Sequence, residues 1–177
     1  MWKLKQGDIE RLNSPRRPHL HLYYGDYMTL KEELERVKIR PILLDGSSMT
    51  TLEDMIEEFR KCLEFPDHYG RNLNALRESL GDMSWLGRKN ILLLVKDVQK
   101  VKDSEVNEVL ISYLKDTAID WAIPADATSG FSRLSTPFNV VFHVNNKDSS
   151  EEFAQKLDKY ADAGYWDTLN NYWNTTE

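Results

Sequence analysis

Five consecutive aliphatic residues, Ile91–Val95 (ILLLV), constrain this chain more than any other stretch. A strand with one wet face alternates apolar and polar side chains. An unbroken aliphatic run needs cover on both faces, as in parallel α/β sheets. Two further segments suit the same sheet. RPILLDG carries an apolar run, Pro41 to Leu44, closed by an Asp-Gly turn, and FNVVFHV begins at Phe138. Helical spacing separates them. Thr50 or Thr51 can cap a helix with Glu53 or Asp54 three residues on, followed by Leu52, Met55, Ile56, Phe59 and Leu63 on one face. Leu73, Leu76 and Leu80 repeat the pattern, as do Val106, Val109, Leu110, Tyr113 and Leu114. Helices of this length suit crossovers, so the three strands are expected to form a small, mainly parallel α/β sheet flanked by helices.

The flanks read as additions. Residues 1–38 form an N-terminal extension, with HLHLYYGDY as a short strand and TLKEELERVK as a short helix. The central domain spans 39–147. Within it Ala122–Pro137, rich in Ala, Pro, Ser, Thr and Gly, is expected to lack regular structure. Residues 148–177 form a helical, aromatic C-terminal extension packed on the same domain. There Phe153, Leu157, Tyr160 and Ala161 face inward, Gly164 stands at the helix end, and YWDTLNNYW docks on the body as edge protection.

The length of 177 residues fits one domain, and a hydrophobic content of 41% supports a packed core. A formal charge of -6 does not prepare a surface for phosphate backbones, so direct nucleic-acid contact is not expected. The single cysteine, Cys62, excludes an intrachain disulfide and suits a structural thiol. No apolar run approaches membrane-spanning length, and a cytoplasmic location without membrane contact is the expectation.

Chemistry is sparse. There is no GxSxG, HExxH, GxGxxG or Walker-type loop. His19 and His21 share one strand face at metal-compatible spacing, yet nothing nearby completes a ligand set, and His143 reads as a satisfied sheet histidine. The carboxylate pairs Glu53/Glu57 and Asp54/Glu58, with Glu151 or Glu152 beside Asp148, suit outward helix faces rather than shielded acid–base work. No cofactor, no metal and no catalytic residue is expected.

One segment stands out: FPDHYGRNLNALRESLGD, Phe65 to Asp82. Pro66 stiffens the entry and Gly70 could supply a positive φ or a close approach. The helix that follows turns leucines inward and sets Arg71, Asn74 and Glu78 along another stripe, with His68 and Tyr69 in the loop. Rings beside mixed charges suit a protein interface. The alternative is a loop clamped by Phe65 and Tyr69, capped by Asn72, with a merely solvated polar face. The residues alone leave both open.

PILLDG, the helix entering FPDHYG, RNLNALRESL and the later ILLLV together resemble the barstar family, intracellular inhibitors of barnase-type ribonucleases. The resemblance covers about 39–145 and implies a three-stranded parallel sheet whose loop and second helix plug a ribonuclease active site with acidic side chains. It implies a partner-binding set of His68, Tyr69, Gly70, Arg71, Asn72, Asn74, Arg77, Glu78, Met83 and Lys115. Tyr69, Gly70, Asn72 and Glu78 keep the family pattern. His68 replaces the first tyrosine of a pair, Asn74 a commonly central aspartate, Arg77 an aromatic contact, Met83 a tryptophan and Lys115 an interfacial glutamate. Desolvated charge pairs at such an interface couple by about 1.5–7 kcal/mol. These departures therefore imply a target other than barnase itself. The expected function is a non-catalytic inhibitor or immunity protein that blocks a ribonuclease or other toxin nuclease. The alternative is a regulatory or structural binding module that has kept the fold and lost inhibition.

Overall fold

The computed structural model describes residues 2–124 and 134–169. In chain order it forms α1 (Gln6–Leu12), β1 (Leu20–Tyr24), α2 (Tyr27–Arg36), β2 (Ile42–Asp45), α3 (Leu52–Cys62), α4 (Leu73–Asp82), β3 (Ile91–Lys96), α5 (Ser104–Ala122), β4 (Phe138–Val144), α6 (Lys147–Ala161) and β5 (Trp166–Thr168). The strands make one sheet in the order β2-β3-β4-β1-β5, and every pairing is parallel. Among the described residues no helix is long and apolar enough to cross a membrane.

This corrects the expected three-stranded sheet with terminal additions. The HLHLYY segment is not peripheral: β1 pairs with β4 on one side and with β5 on the other. Besides Leu20, Leu22 and Tyr23 in the two cores, a buried polar network ties β1 to both neighbours. His21, fully buried, sets Nδ1 2.6 Å from Asp167 Oδ1 on β5 and Nε2 3.0 Å from Asn139 Oδ1 on β4. Asn139 spends its amide hydrogens on the carbonyls of Leu12 and Ser14, which turns its oxygen toward the histidine. Both ring nitrogens therefore face acceptors. Arg11 bridges the carboxylates of Asp167 and Asp8. A strand face that looks polar in sequence is thus satisfied inside the protein.

Helices cover both faces, as the ILLLV run requires. Leu93 and Val95 join Leu22, Ile42, Val140 and Phe142 beneath α3–α6, whereas Leu92 and Leu94 join Tyr23 and Val141 beneath α1 and α2. The alternation of neighbours between two cores leaves no position for a polar residue from Ile91 to Val95. Gly46, just after β2, has a steric reason of its own. A Cβ there would lie 2.7 Å from the Asp97 carbonyl oxygen and 2.9 Å from that of Lys96.

Local signals mostly match the structure. Thr51 caps α3 by accepting the Asp54 N–H. α6 is capped by Asn146 and ends at Asp162 (φ 69°), before Gly164. Glu58 does not face water. It is 5% exposed, accepts the Asp45 N–H and the Cys62 thiol, and lies 3.4 Å from Lys61. Burial and then the Glu58 carboxylate push the Cys62 thiol up to about 12, so it stays protonated. Most of the Ala122–Pro137 excursion (125–133), and the end of the aromatic tail from residue 170, lie outside the described residues.

Candidate functional site

The Phe65–Asp82 segment is built on a fixed foundation. α3 closes through Glu64 in the left-handed region (φ 54°), where the Phe65 N–H returns to the Arg60 carbonyl. Phe65 is buried edge-on against Trp85, whose indole N–H donates to the Leu63 carbonyl. The Tyr69 N–H closes a turn onto the Pro66 carbonyl, and its hydroxyl donates to Asp82 at 2.5 Å. That hydrogen bond, ahead of burial, pushes the phenol up to about 12. Arg60 reaches the carbonyls of Tyr69 (3.1 Å) and Gly70 (3.2 Å). Gly70 has no positive φ, so its expected conformational role is not used. Asn72 caps α4, its Oδ1 accepting the Ala75 N–H at 2.8 Å.

On this base the predicted residues separate into groups. His68 is exposed and packs on the Tyr69 ring at 4.5 Å. Arg71 is exposed and pairs with Glu57 at 3.0 Å. Asn74, Arg77 and Glu78 lie on the outer face of α4, opposite the buried Ala75, Leu76, Ser79 and Leu80. Arg77 stacks 4.2 Å over Tyr113 and comes within 3.7 Å of Asp116, which ties this face to α5. Asn74 and Glu78 have no hydrogen-bond or ion-pair partner among the described residues.

Two members behave differently. Met83 is 2% exposed and takes the left-handed conformation that ends α4 (φ 46°), so it belongs to the core rather than to a partner-facing rim. It floors a broad groove of about 1000 Å³ that Tyr69, Glu78, Asp82, Trp121 and Leu134 also line. Lys115 is half-buried and turned toward the segment after α6, 5.0 Å from the Tyr165 ring centre and 3.8 Å from Asp162. The structure therefore brings His68 to Glu78 together and sets Lys115 to a stabilising task.

A second polar site was not foreseen, because it needs β1 inside the sheet. β1 and β4 are neighbours, yet the chain leaves β1 for α2 on one face and β4 for α6 on the other. In open parallel sheets the strand ends part at such a point. Here they leave a crevice of about 470 Å³ lined by Tyr24, Gly25, Asp26, Tyr27, Asp97, His143 and Asn145. His143 clamps its floor. Nε2 donates to the Gly25 carbonyl at 2.9 Å and Nδ1 accepts the Asp97 N–H at 3.0 Å, while burial lowers the pKa of the ring. Asp26 fills the α2 N-terminus with its own carboxylate, accepting the Thr29 N–H and hydroxyl. Among the described residues no group of three or more potential metal ligands occurs.

Over 86% of its length this chain aligns with 50% of a chain in the structure of Drosophila ORC bound to GC-rich DNA and Cdc6, at 13% identity and a TM-score of 0.51. At that identity the likeness shows the fold alone. Cdc6p from Pyrobaculum aerophilum aligns with 87% of this chain over 40% of its own, at 15% identity and a TM-score of 0.46. The chain thus spans half or less of these solved chains. Putative ribonuclease inhibitor YrdF from Bacillus subtilis (strain 168) is 40% identical over 42 residues, which are 24% of this chain and 46% of that protein.

These findings correct several expectations together. A compact three-stranded inhibitor is the frame behind nuclease blockade, absence of catalysis, a ribonuclease or toxin-nuclease partner and absence of nucleic-acid contact. This chain's own five-stranded parallel sheet, in a fold that aligns with the ORC–Cdc6 chain over 86% of its length, replaces that frame, and those expectations are withdrawn with it. Nor does the barstar resemblance describe the architecture as a whole; it is confined to the middle of the chain. There the match is to Barstar (barnase inhibitor) over residues 39–143, more than half of the 177, and the chain belongs to the Barstar family.

Proposed function

We propose that the chain is a protein-recognition module that meets its partner with the 65–72 loop and the outer face of α4. The supporting observation is the contrast between a tied-down base and a free face. Asn74 and Glu78, one turn apart and exposed, have no partner among the described residues, while Asn72, Tyr69 and Arg60 fix everything beneath them. A backbone held in place before binding loses little freedom on contact. His68, Arg71 and Arg77 add a ring and two guanidinium groups at the rim, so the surface suits a partner of mixed charge rather than one of single sign. The family's description as barnase inhibitor, and the relative's as putative ribonuclease inhibitor, both denote recognition of a protein. That general property is what carries over here.

The test uses the full chain as bait in extract of the producing cells, beside an N74R/E78R double variant. A protein held by the first bait and lost from the second is then purified and titrated by calorimetry. Affinity is expected to fall at least about tenfold in the variant, or about 1.4 kcal/mol. Equal affinity for both baits refutes the assignment of this face.

A further inference from the structure

On the α2 face of the sheet, away from α4, five cations gather where the chain enters β2 and β3. Lys31, Lys38, Arg40, Arg88 and Lys89 line two adjoining hollows of about 720 and 420 Å³, and Glu35 is the single carboxylate in either lining. None of the five lies within 4.0 Å of a carboxylate among the described residues, in a chain whose formal charge is -6. By contrast Arg11, Arg36, Arg60, Arg71 and Lys100 are all paired. Arg88 is fixed in place, its guanidinium donating to the Arg40 carbonyl at 2.8 Å.

The floor between these cations is apolar. Ile39, Pro41 and Leu43 line the larger hollow, and Leu43 is 39% exposed although its register partner Leu94 is fully buried. β2 is the edge of the sheet, and α2 covers this face only as far as Ile39, leaving the corner over Leu43 open. An unprotected edge strand accepts an extended segment alongside it, with alternate side chains reaching the surface beneath. The Asp45 N–H is already taken by Glu58 and Pro41 has no N–H, so the open part of the edge centres on Leu43.

We propose that this corner docks an acidic, extended polypeptide segment beside β2, one apolar side chain resting on Leu43 and flanking carboxylates reaching Lys31, Lys38, Arg40, Arg88 and Lys89. The charge of the rim selects the acids, and the apolar floor selects a peptide over a ligand that presents phosphate alone.

Fluorescence anisotropy of the full chain with labelled nonapeptides that alternate Asp or Glu with Val or Leu tests this. Matched Lys peptides and a single-stranded oligonucleotide of similar charge serve as comparisons. Binding is expected for the acidic peptides alone, weakening at least about tenfold between about 50 and 200 mM salt. It is expected to weaken similarly in R40E/R88E and in L43D. Arg88 also holds the Arg40 carbonyl, so K31E/K89E, whose side chains make no hydrogen bond among the described residues, decides the matter if the first variant misfolds. No acidic peptide binding, or binding that K31E/K89E and L43D leave unchanged, overturns the proposal. So does an oligonucleotide that binds more tightly than the peptides and ignores Leu43. The α4 variant N74R/E78R is expected to bind these peptides normally, so this proposal and the α4 reading fail separately.

Discussion

Asp167 shows how a single residue can decide what a strand becomes. Its carboxylate takes the His21 ring on one oxygen and the Arg11 guanidinium on the other, at 20% side-chain exposure. Asp167→Ala takes one acceptor from the fully buried imidazole, which keeps Asn139, and one carboxylate from the half-buried guanidinium, which keeps Asp8, and is expected to cost about 2 kcal/mol. Urea unfolding followed by tryptophan fluorescence near neutral pH measures it. A loss below about 1 kcal/mol would rank the network with exposed ion pairs and refute its role in seating β5. The same network explains what was hidden in the sequence. His21 and Tyr23 alternate with Leu20 and Leu22 as on a half-exposed strand, and the partners that bury His21 stand 118 and 146 residues away. No local window contains that information. Glu58 misled for a related reason: its acceptors' partners, the Asp45 amide and the Cys62 thiol, are legible only in the folded chain.

At the scale of elements, legibility tracked how local the determining physics is. ILLLV declared a doubly covered strand, and the Thr51 and Asn72 caps were visible because each precedes an apolar helical run by one residue. The end of α4 was not visible, since Met83 adopts a left-handed conformation that no glycine announces and is buried in the larger core. In α4 two asparagines two residues apart carry different burdens. Asn72 supplies the Ala75 amide with its acceptor, whereas the Asn74 side chain makes no hydrogen bond among the described residues. Asn72→Ala is expected to lower stability by about 1 kcal/mol. Asn74→Ala should change it by less than about 0.5 kcal/mol, as exposed substitutions do. Paired thermal and urea melts check the contrast. An Asn74 variant as damaged as the Asn72 variant would show that the outer face is structural and would count against its availability to a partner.

For the whole molecule, the buried histidines tie stability to pH. His19 is 2% exposed, its Nδ1 has no hydrogen-bond partner among the described residues, and burial ahead of the His21 and Arg17 charges lowers its pKa from 6.5 to about 4. His143 is lowered too, chiefly by burial. Both are therefore neutral in the fold at pH values where the unfolded chain binds a proton. The unfolded state takes up more protons as pH falls, so the stability these rings contribute is complete above about 6.5 and is lost progressively toward 4. For His19 alone the loss between pH 7 and 4.5 is about 2 kcal/mol. Asp26, Asp45 and Asp82, whose pKa values are held down mainly by hydrogen bonds to the folded backbone and side chains, add a loss of the same sign at still lower pH. Urea midpoints measured from pH 7 to 4.5 should fall steadily. His19→Leu removes the first titration along with an unsatisfied buried nitrogen, and its midpoints should fall less steeply over that window than those of the native chain. Parallel slopes for the two proteins would mean that His19 is charged in the fold despite its burial between β1 and the segment leading to β5.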